Sequence, residues 1–232
     1  MIELSADLGE GADDAAIWPL IDAANVACGG HAGDEESMRH AADTAARLGV
    51  ILGAHPSYPD RANFGRVSMA IDRDELLRSL VTQIGTLRGI AEQAGVKLQR
   101  VKAHGSLYND AHRDGDLANA IVTAMRLVDP SLAIVASDTS AMASAAREAG
   151  APVIREAFAD RGYRPDGSLI PRGQHGALLS VDEAAAQAEK LLRGEIAIPF
   201  DTLCIHADMD GALERLRAIR QRLAPFVRIT SA

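Results

Sequence analysis

The chain has few aromatic residues and no excess of positive charge, and each absence excludes a class of protein. Phe, Trp and Tyr make up 3% of its 232 residues, too few for a surface on which nucleic-acid bases stack. Lys and Arg number 24 against 32 Asp and Glu, which gives a formal net charge of −8. Because an acidic chain without a basic tail binds polyanions poorly, we expect no nucleic acid and no membrane among its partners.

Cysteines and long apolar runs are also scarce. The two cysteines, Cys28 and Cys204, lie far apart and outside any CxxC pattern, which is typical of a protein from a reducing compartment. No segment approaches the ~18 apolar residues of a membrane helix, and the first residues lack the basic and apolar regions of a signal peptide. We therefore expect a cytoplasmic protein, and its length predicts one domain over residues 1–232.

Seven short apolar segments alternate with longer segments of helical periodicity. The predicted strands cover residues 2–6, 23–28, 50–54, 98–103, 132–136, 152–157 and 202–206, with 226–230 as a possible short eighth element. The predicted helices cover residues 34–48, 72–94, 114–128, 137–149, 180–192 and 210–223. This alternation predicts βαβ units and a parallel sheet, for which a closed β/α barrel and an open doubly wound sheet both fit.

Nearly every unusual polar side chain follows the C-terminal end of a predicted strand. Because those ends share one face in a parallel β/α fold, and that face carries the active site, we expect these residues to form one site. In chain order they are Asp7, Glu10, Asn25, His31, His55, Lys102, His104, Glu156, Asp160, Arg161, His206 and Asp208. Arg172 joins them, since Arg161 and Arg172 bracket a long polar loop that suits an anionic small molecule.

The histidines of this set are candidates for proton carriers or metal ligands. Asp7, His55 and His104 could form the carboxylate–His–His set that binds catalytic divalent metals. Neither HExxH nor a tight His-x₃-His pair is present, however, so the spacing alone assigns no metal ligand. The chain also lacks GxxxxGK[ST] and GxSxG, which argues against an ordinary P-loop nucleotide site and a serine-elbow hydrolase.

Seven long motifs contain most of these polar residues. They are DLGEG at 7–11, ANVACGGHAGD at 24–34, GAHPSYPDR at 53–61, FGR at 64–66, VKAHGSLYN at 101–109, EAFADR at 156–161 and LCIH at 203–206. In this order and spacing they resemble the motifs of the LamB/YcsF family, described as the A component of bacterial ATP-dependent 5-oxoprolinase, and the similarity extends over essentially the whole chain. One departure is Gly9, which replaces the Asn of the family's first motif, Asp-x-Asn-Glu.

The resemblance implies a seven-stranded parallel β/α barrel, similar to the glycoside hydrolase/deacetylase superfamily. It implies a hydrolase that opens the lactam of 5-oxo-L-proline to L-glutamate, with ATP as co-substrate and with partner subunits B and C. The missing P-loop is consistent with a phosphorylation step on those partners. On this basis we assign catalytic roles to Asp7, Glu10, His55, Lys102 and His104. Substrate binding is assigned to Asn25, His31, Glu156, Asp160, Arg161, Arg172 and His206.

Two other interpretations stay open at this point. The chain could be a stand-alone, metal-dependent deacetylase or amidase, which predicts a bound divalent metal and turnover without ATP. It could instead be a non-catalytic subunit that holds a small carboxylate, which predicts binding without turnover.

Overall fold

A computed structural model describes residues 2–164, 167–207 and 210–226. Seven strands form a closed, all-parallel barrel in sequence order, in which the first strand pairs with both the second and the seventh. The barrel, and not the open doubly wound sheet, is therefore the fold. The strands are β1 (Glu3–Leu8), β2 (Ala23–Ala27), β3 (Ile51–His55), β4 (Leu98–Val101), β5 (Ala133–Ala136), β6 (Val153–Phe158) and β7 (Thr202–His206).

Helices surround the barrel on its outer side. They are α1 (Glu35–Leu48), α2 (Arg73–Gln93), α3 (Gly105–Ala111), α4 (Gly115–Val128), α5 (Ala141–Glu148), α6 (Val181–Leu192) and α7 (Ala212–Leu223). A 3-10 turn over Trp18–Leu20 precedes β2. Within the described part of the chain, no helix combines the length and apolar character needed to cross a membrane.

The sequence predictions agree with these elements, with one helix missed. All seven predicted strands are present, and their bounds differ from the prediction by two residues at most. The missed helix is α3, which has only seven residues and begins directly after His104. Phe226 lies in a turn, and the rest of the suggested eighth element, 227–230, falls outside the described residues. The prediction of one domain over 1–232 stays a prediction.

Local signals in the sequence fix where the helices begin and end. The Asp72 side chain accepts hydrogen bonds from the backbone N–H groups of Asp74 and Glu75 at the start of α2. Ser180 and Glu183 form a capping box at the start of α6. Gly49 ends α1 with φ +69°, a left-handed conformation that favours glycine. These caps set the points at which the chain returns to the barrel.

The apolar core lies between the strands and the helices, whereas the inside of the barrel is polar. On β1, Leu4, Ala6 and Leu8 belong to the apolar core, while the alternate residues Glu3, Ser5 and Asp7 bond to polar partners. Glu3 pairs with Arg100, the Nη2–Oε2 distance being 2.7 Å, and Ser5 Oγ lies 2.9 Å from Thr202 Oγ1. The N-terminal half of the barrel is thus filled, which places the site at its C-terminal mouth.

Candidate active site

A buried lysine joins two carboxyl groups in the centre of the barrel. Lys102 follows β4, and its Nζ lies 3.0 and 2.9 Å from the two oxygens of Asp7 on β1. The same Nζ lies 2.7 Å from Oε1 of Glu156 on β6. Asn25 on β2 donates its amide N–H to Asp7 Oδ1 over 2.9 Å. All four residues are almost completely buried, so one cation serves two carboxyl groups without help from solvent.

The two carboxyl groups differ in proton affinity. Burial by itself raises the pKa of Asp7, but His55 and Lys102 outweigh it and hold that pKa well below its usual range. Burial also raises the pKa of Glu156, and there the attraction of Lys102 offsets only part of the effect. The pKa of Lys102 lies well above normal, since its acidic neighbours outweigh its own burial. Asp7 is thus the anion, Lys102 the cation, and Glu156 the carboxyl group that takes up a proton first.

This difference predicts a mild effect for an isosteric change at Glu156. Because glutamine mimics a neutral carboxyl group, we expect Glu156→Gln to lower the free energy of unfolding at pH 7 by no more than about 1 kcal/mol. The folded-state pKa of Glu156 is raised, so its contribution to stability is largest at acidic pH and declines as the pH rises above about 4.3. Urea unfolding at pH 4 and pH 7 measures the effect of the substitution and its pH dependence. A loss of about 3 kcal/mol at pH 7 would show that Glu156 is ionised instead.

A second cluster lies beside the first and contains one carboxylate and three histidines. Glu10 Oε1 lies 2.9 Å from His31 Nε2, 3.1 Å from His104 Nδ1 and 3.7 Å from His55 Nε2. His104 Nδ1 lies 3.0 Å from His55 Nε2, and the His31 and His104 rings stack at 3.6 Å between centroids. One potential ligand atom from each of the four residues lies within 4.8 Å of the others. The ends of four consecutive strands therefore converge on one point.

Backbone carbonyl groups orient two of these imidazoles. His55 Nδ1 donates to the Lys102 carbonyl oxygen over 2.8 Å, and His104 Nε2 donates to the Phe64 carbonyl oxygen over 3.0 Å. A neutral imidazole has one N–H group, so the other nitrogen of each ring presents a lone pair to the cluster. Burial lowers the pKa of His55 to about 3 and also lowers that of His31. The cluster is therefore rich in acceptors.

The loop between β3 and α2 closes over this cluster. Phe64 packs its ring against His31 and His104, with centroid distances of 5.2 and 5.4 Å. Its φ of +54° is the only positive value among the non-glycine residues that the structure describes. Such strain persists where surrounding contacts impose it, often at a functional site. Here the strained residue supplies the carbonyl group that orients His104.

At the opposite side of the mouth, Asp160 holds His206. The His206 backbone N–H donates to Asp160 Oδ2 over 2.7 Å, and its ring Nδ1 lies 3.0 Å from Oδ1. The ring of Phe158 stacks on His206 at 5.4 Å. Burial by itself raises the pKa of Asp160, but the charge and the two hydrogen bonds of His206 lower it overall. Asp160 is therefore a structural anion that fixes the ring orientation of His206.

An Asp160→Asn variant tests this arrangement. Removing the charge weakens two hydrogen bonds, so we expect a loss of about 1–2 kcal/mol in the free energy of unfolding at pH 7. Because the folded-state pKa of Asp160 is lowered, its stabilisation is complete above about pH 4 and disappears as the pH falls through the folded-state value. Urea unfolding should thus show a larger difference from the parent at pH 7 than at pH 3. An equal loss at both pH values would contradict the anionic role.

The two arginines predicted to bind an anion lie in the long loop between β6 and α6. The Arg161 guanidinium donates to the backbone carbonyls of Ala177 and Ile170, over 3.1 and 2.8 Å, and so folds its own loop. Arg172 lies half-buried in that same loop. Substrate binding by either arginine stays a prediction. Asp208, also predicted at the mouth, lies outside the described residues.

Sequence reasoning missed two features of the site. Cys204, which was not among the predicted site residues, lies with its Sγ 3.0 Å from Lys102 Nζ, and burial holds the pKa of its thiol well above normal. Its position two residues before His206 put it on the same face of β7, a signal that the sequence contained. The other feature is the role of Glu10, since no pattern in the sequence indicates that Glu10, and not Asp7, is the carboxylate common to the three histidines.

The sequence model of the LamB/YcsF family matches residues 2–230 of this chain. The chain belongs to the LamB/YcsF family. The solved structure of the lactam utilization protein from Thermus thermophilus is 37% identical, covers 97% of this chain and 96% of its own, and has a TM-score of 0.89. A CE4 family pseudoenzyme from Bacillus anthracis, 11% identical with a TM-score of 0.50, covers 97% of this chain and 60% of its own, and shares the fold alone.

Gly9 shows how this LamB/YcsF chain accommodates its departure from the first motif. Its φ is +74°, in the left-handed region that Gly and Asn adopt more readily than other residues. Replacing Asn by Gly therefore keeps the turn that positions Glu10 and removes only a polar side chain.

Proposed function

We propose that this chain is the A component of an ATP-dependent 5-oxoprolinase, which opens the lactam of 5-oxo-L-proline to L-glutamate. The observation that carries the proposal is its 37% identity, over nearly its full length, to a lactam utilization protein. A lactam is a cyclic amide, and 5-oxoproline is the lactam of glutamate. The mouth of the barrel supports the proposal, because it holds two ionised carboxylates, a buried lysine and a carboxyl group of raised pKa, Glu156.

The chemistry of the lactam defines what the site must supply. An amide carbon is a poor electrophile, and phosphorylation of its oxygen by ATP makes it reactive. Water then adds to that carbon, the ring C–N bond breaks as the nitrogen takes up a proton, and a second water releases phosphate from the resulting acyl phosphate. The chain must therefore activate water, protonate the nitrogen and stabilise the negative charge that develops on oxygen.

The residues of the mouth match these three tasks. Asp7 and Glu10 both have lowered pKa values, so they are ionised at neutral pH and can accept hydrogen bonds from the attacking water and orient it. Burial raises the pKa of Glu156, so we assign it the protonation of the ring nitrogen. Lys102 is a permanent cation within 3 Å of Asp7 and Glu156, and it stabilises developing negative charge.

Phosphoryl transfer from ATP belongs to partner subunits B and C in this proposal. The sequence has no P-loop, and the described mouth residues supply more carboxylates than cations. A cytoplasmic enzyme of three cooperating subunits is the assembly that we propose.

The test measures 5-oxoproline-dependent release of ADP and glutamate by this chain alone, by the subunits encoded beside it, and by all of them together. We expect glutamate only from the complete mixture, with ATP and 5-oxoproline both required. L-Proline, which has no ring carbonyl group, serves as the control substrate. Full glutamate production without this chain, or none in any combination, would contradict the proposal.

The Glu10–histidine cluster favours a second candidate, a metal-dependent amidase or deacetylase acting alone. That enzyme would turn over an amide or acetylated substrate without ATP and lose activity with a chelator. Turnover in the absence of ATP and of partner subunits is the result that separates the two candidates.

A further inference from the structure

We infer that Glu10, His31, His55 and His104 bind one divalent transition-metal ion of the zinc class. The inference concerns a binding site and does not depend on the reaction proposed above. It begins from the placement of the four donor atoms, which lie within 4.8 Å of one another at the ends of four consecutive strands.

The hydrogen bonds around the cluster point its lone pairs inward. His55 and His104 each donate one ring N–H to a backbone carbonyl group, over 2.8 and 3.0 Å. Their remaining nitrogens lie 3.0 Å apart, and Glu10 Oε1 lies 3.1 and 3.7 Å from them. Acceptors at such distances repel one another unless a proton or a metal ion lies between them. Metal-binding histidines characteristically have this outer hydrogen bond to a carbonyl group or carboxylate.

A single proton satisfies this arrangement less well than a metal ion. A proton on His104 Nδ1 can form a hydrogen bond to Glu10 or to His55, whereas four residues of the cluster present lone pairs. The side chains of His31 and His55 are 0% and 1% exposed, and burial disfavours a charged imidazole at either one. A metal ion takes lone pairs from all four residues at once.

The donor set selects the class of metal. Three imidazole nitrogens and one carboxylate oxygen suit zinc and its neighbours, whereas magnesium and calcium prefer sites made of oxygen ligands. When bound, such an ion supplies a Lewis acid that lowers the pKa of a coordinated water.

Glu10, and not Asp7, is the carboxylate of this site. Both Asp7 oxygens are already engaged by Lys102, and Asn25 adds a further bond to Oδ1. The set therefore differs from the Asp7–His55–His104 group that the sequence suggested. Asp7 Oδ2 lies 3.4 Å from His55 Nε2, close enough to influence that ligand without replacing Glu10.

The experiment titrates chelator-treated, tag-free protein with Zn²⁺ by calorimetry and with Co²⁺ by visible absorption. We expect one equivalent per chain, and a rise in Tm when Zn²⁺ is added. His104→Ala and Glu10→Gln should each weaken binding at least 100-fold and abolish the Tm rise. Asp7→Asn should weaken it less than 10-fold, and His112→Ala, a half-buried histidine away from the cluster, should have no effect.

Circular dichroism of each variant verifies that it folds, and His31→Asn provides a milder change should His104→Ala fail to fold. The inference is overturned if the parent chain binds no Zn²⁺ near one equivalent, or if Glu10→Gln binds as tightly as the parent. Loss of binding in Asp7→Asn, with binding retained in Glu10→Gln, would overturn the ligand assignment. None of these outcomes depends on 5-oxoproline turnover.

Discussion

Replacing Lys102 by methionine is expected to lower the free energy of unfolding at pH 7 by about 3–5 kcal/mol, because it leaves two buried carboxyl groups without their cation. Methionine keeps most of the length and apolar surface of the lysine stem, so the packing loss is small. In the parent, Lys102 Nζ lies 2.9 Å from Asp7 Oδ2 and 2.7 Å from Glu156 Oε1. Urea unfolding measures the effect, and Lys97→Met, at an exposed lysine, is the matched control.

The pH dependence of this loss identifies its cause. Asp7 has a lowered folded-state pKa in the parent, so its stabilisation is complete above about pH 4 and is lost as the pH falls through the folded-state value. In the variant, the unpaired carboxyl groups take up protons more readily. The difference between Lys102→Met and the parent should therefore shrink as the pH falls from 7 toward 4. A constant difference over that range would indicate lost packing and not lost charge pairing.

A second substitution separates stability from activity. Adding Asp7→Asn to Lys102→Met removes the unpaired anion, so we expect the double variant to recover a large part of the lost stability. Glutamate production in the complete enzyme mixture should nevertheless stay at least about 100-fold below the parent, because the cation that stabilises developing negative charge is still absent. Recovery of activity together with stability would assign Lys102 a purely structural role.

The strands of this protein could be predicted because each is a short apolar segment followed by polar residues. Closure of the barrel could not, since it depends on the pairing of β1 with β7, from Glu3 with Thr202 to Asp7 with His206. Local patterns are the same for an open and a closed sheet. The resemblance to a family supplied what the pattern left open. Helix α3 was missed because seven residues are too few to show a helical period.

Much of the candidate site could also be predicted, because strand ends in a parallel barrel share one face. The partners of each side chain could not, since they depend on contacts across the barrel. Lys102 was assigned a catalytic role, and the structure shows that it also pairs with Asp7 and Glu156. Arg161 was expected to clamp an anion, and the structure shows it bonded to the carbonyl groups of its own loop.

The second large effect is expected for Gly105→Ala. Gly105 begins α3 with φ +59°, and a Cβ atom there would lie 2.4 Å from the carbonyl oxygen of Gly65. That oxygen accepts a hydrogen bond from the Ser106 backbone N–H over 2.9 Å. We expect a loss of about 3 kcal/mol in the free energy of unfolding, from the left-handed backbone and the steric clash together.

Gly95→Ala is the control that separates these two causes. Gly95 has φ +71°, yet a Cβ atom there would meet nothing within 4 Å. It should therefore show only the backbone cost, about 1–2 kcal/mol. Urea unfolding of both variants gives the free-energy cost of the clash by difference. Equal losses would show that the loop at Gly65 moves aside at no measurable cost in stability.

The clash at Gly105 should also reach the histidine cluster. To relieve it, the loop that contains Gly65 must move away from α3, and that loop supplies the Phe64 carbonyl that accepts from His104 Nε2. His104 would then lose the bond that fixes its tautomer and its ring orientation. Zn²⁺ binding at the inferred site should thus weaken in Gly105→Ala and stay unchanged in Gly95→Ala. The contrast between the two variants would show that Gly105 affects the geometry of the site through a single group, the Phe64 carbonyl.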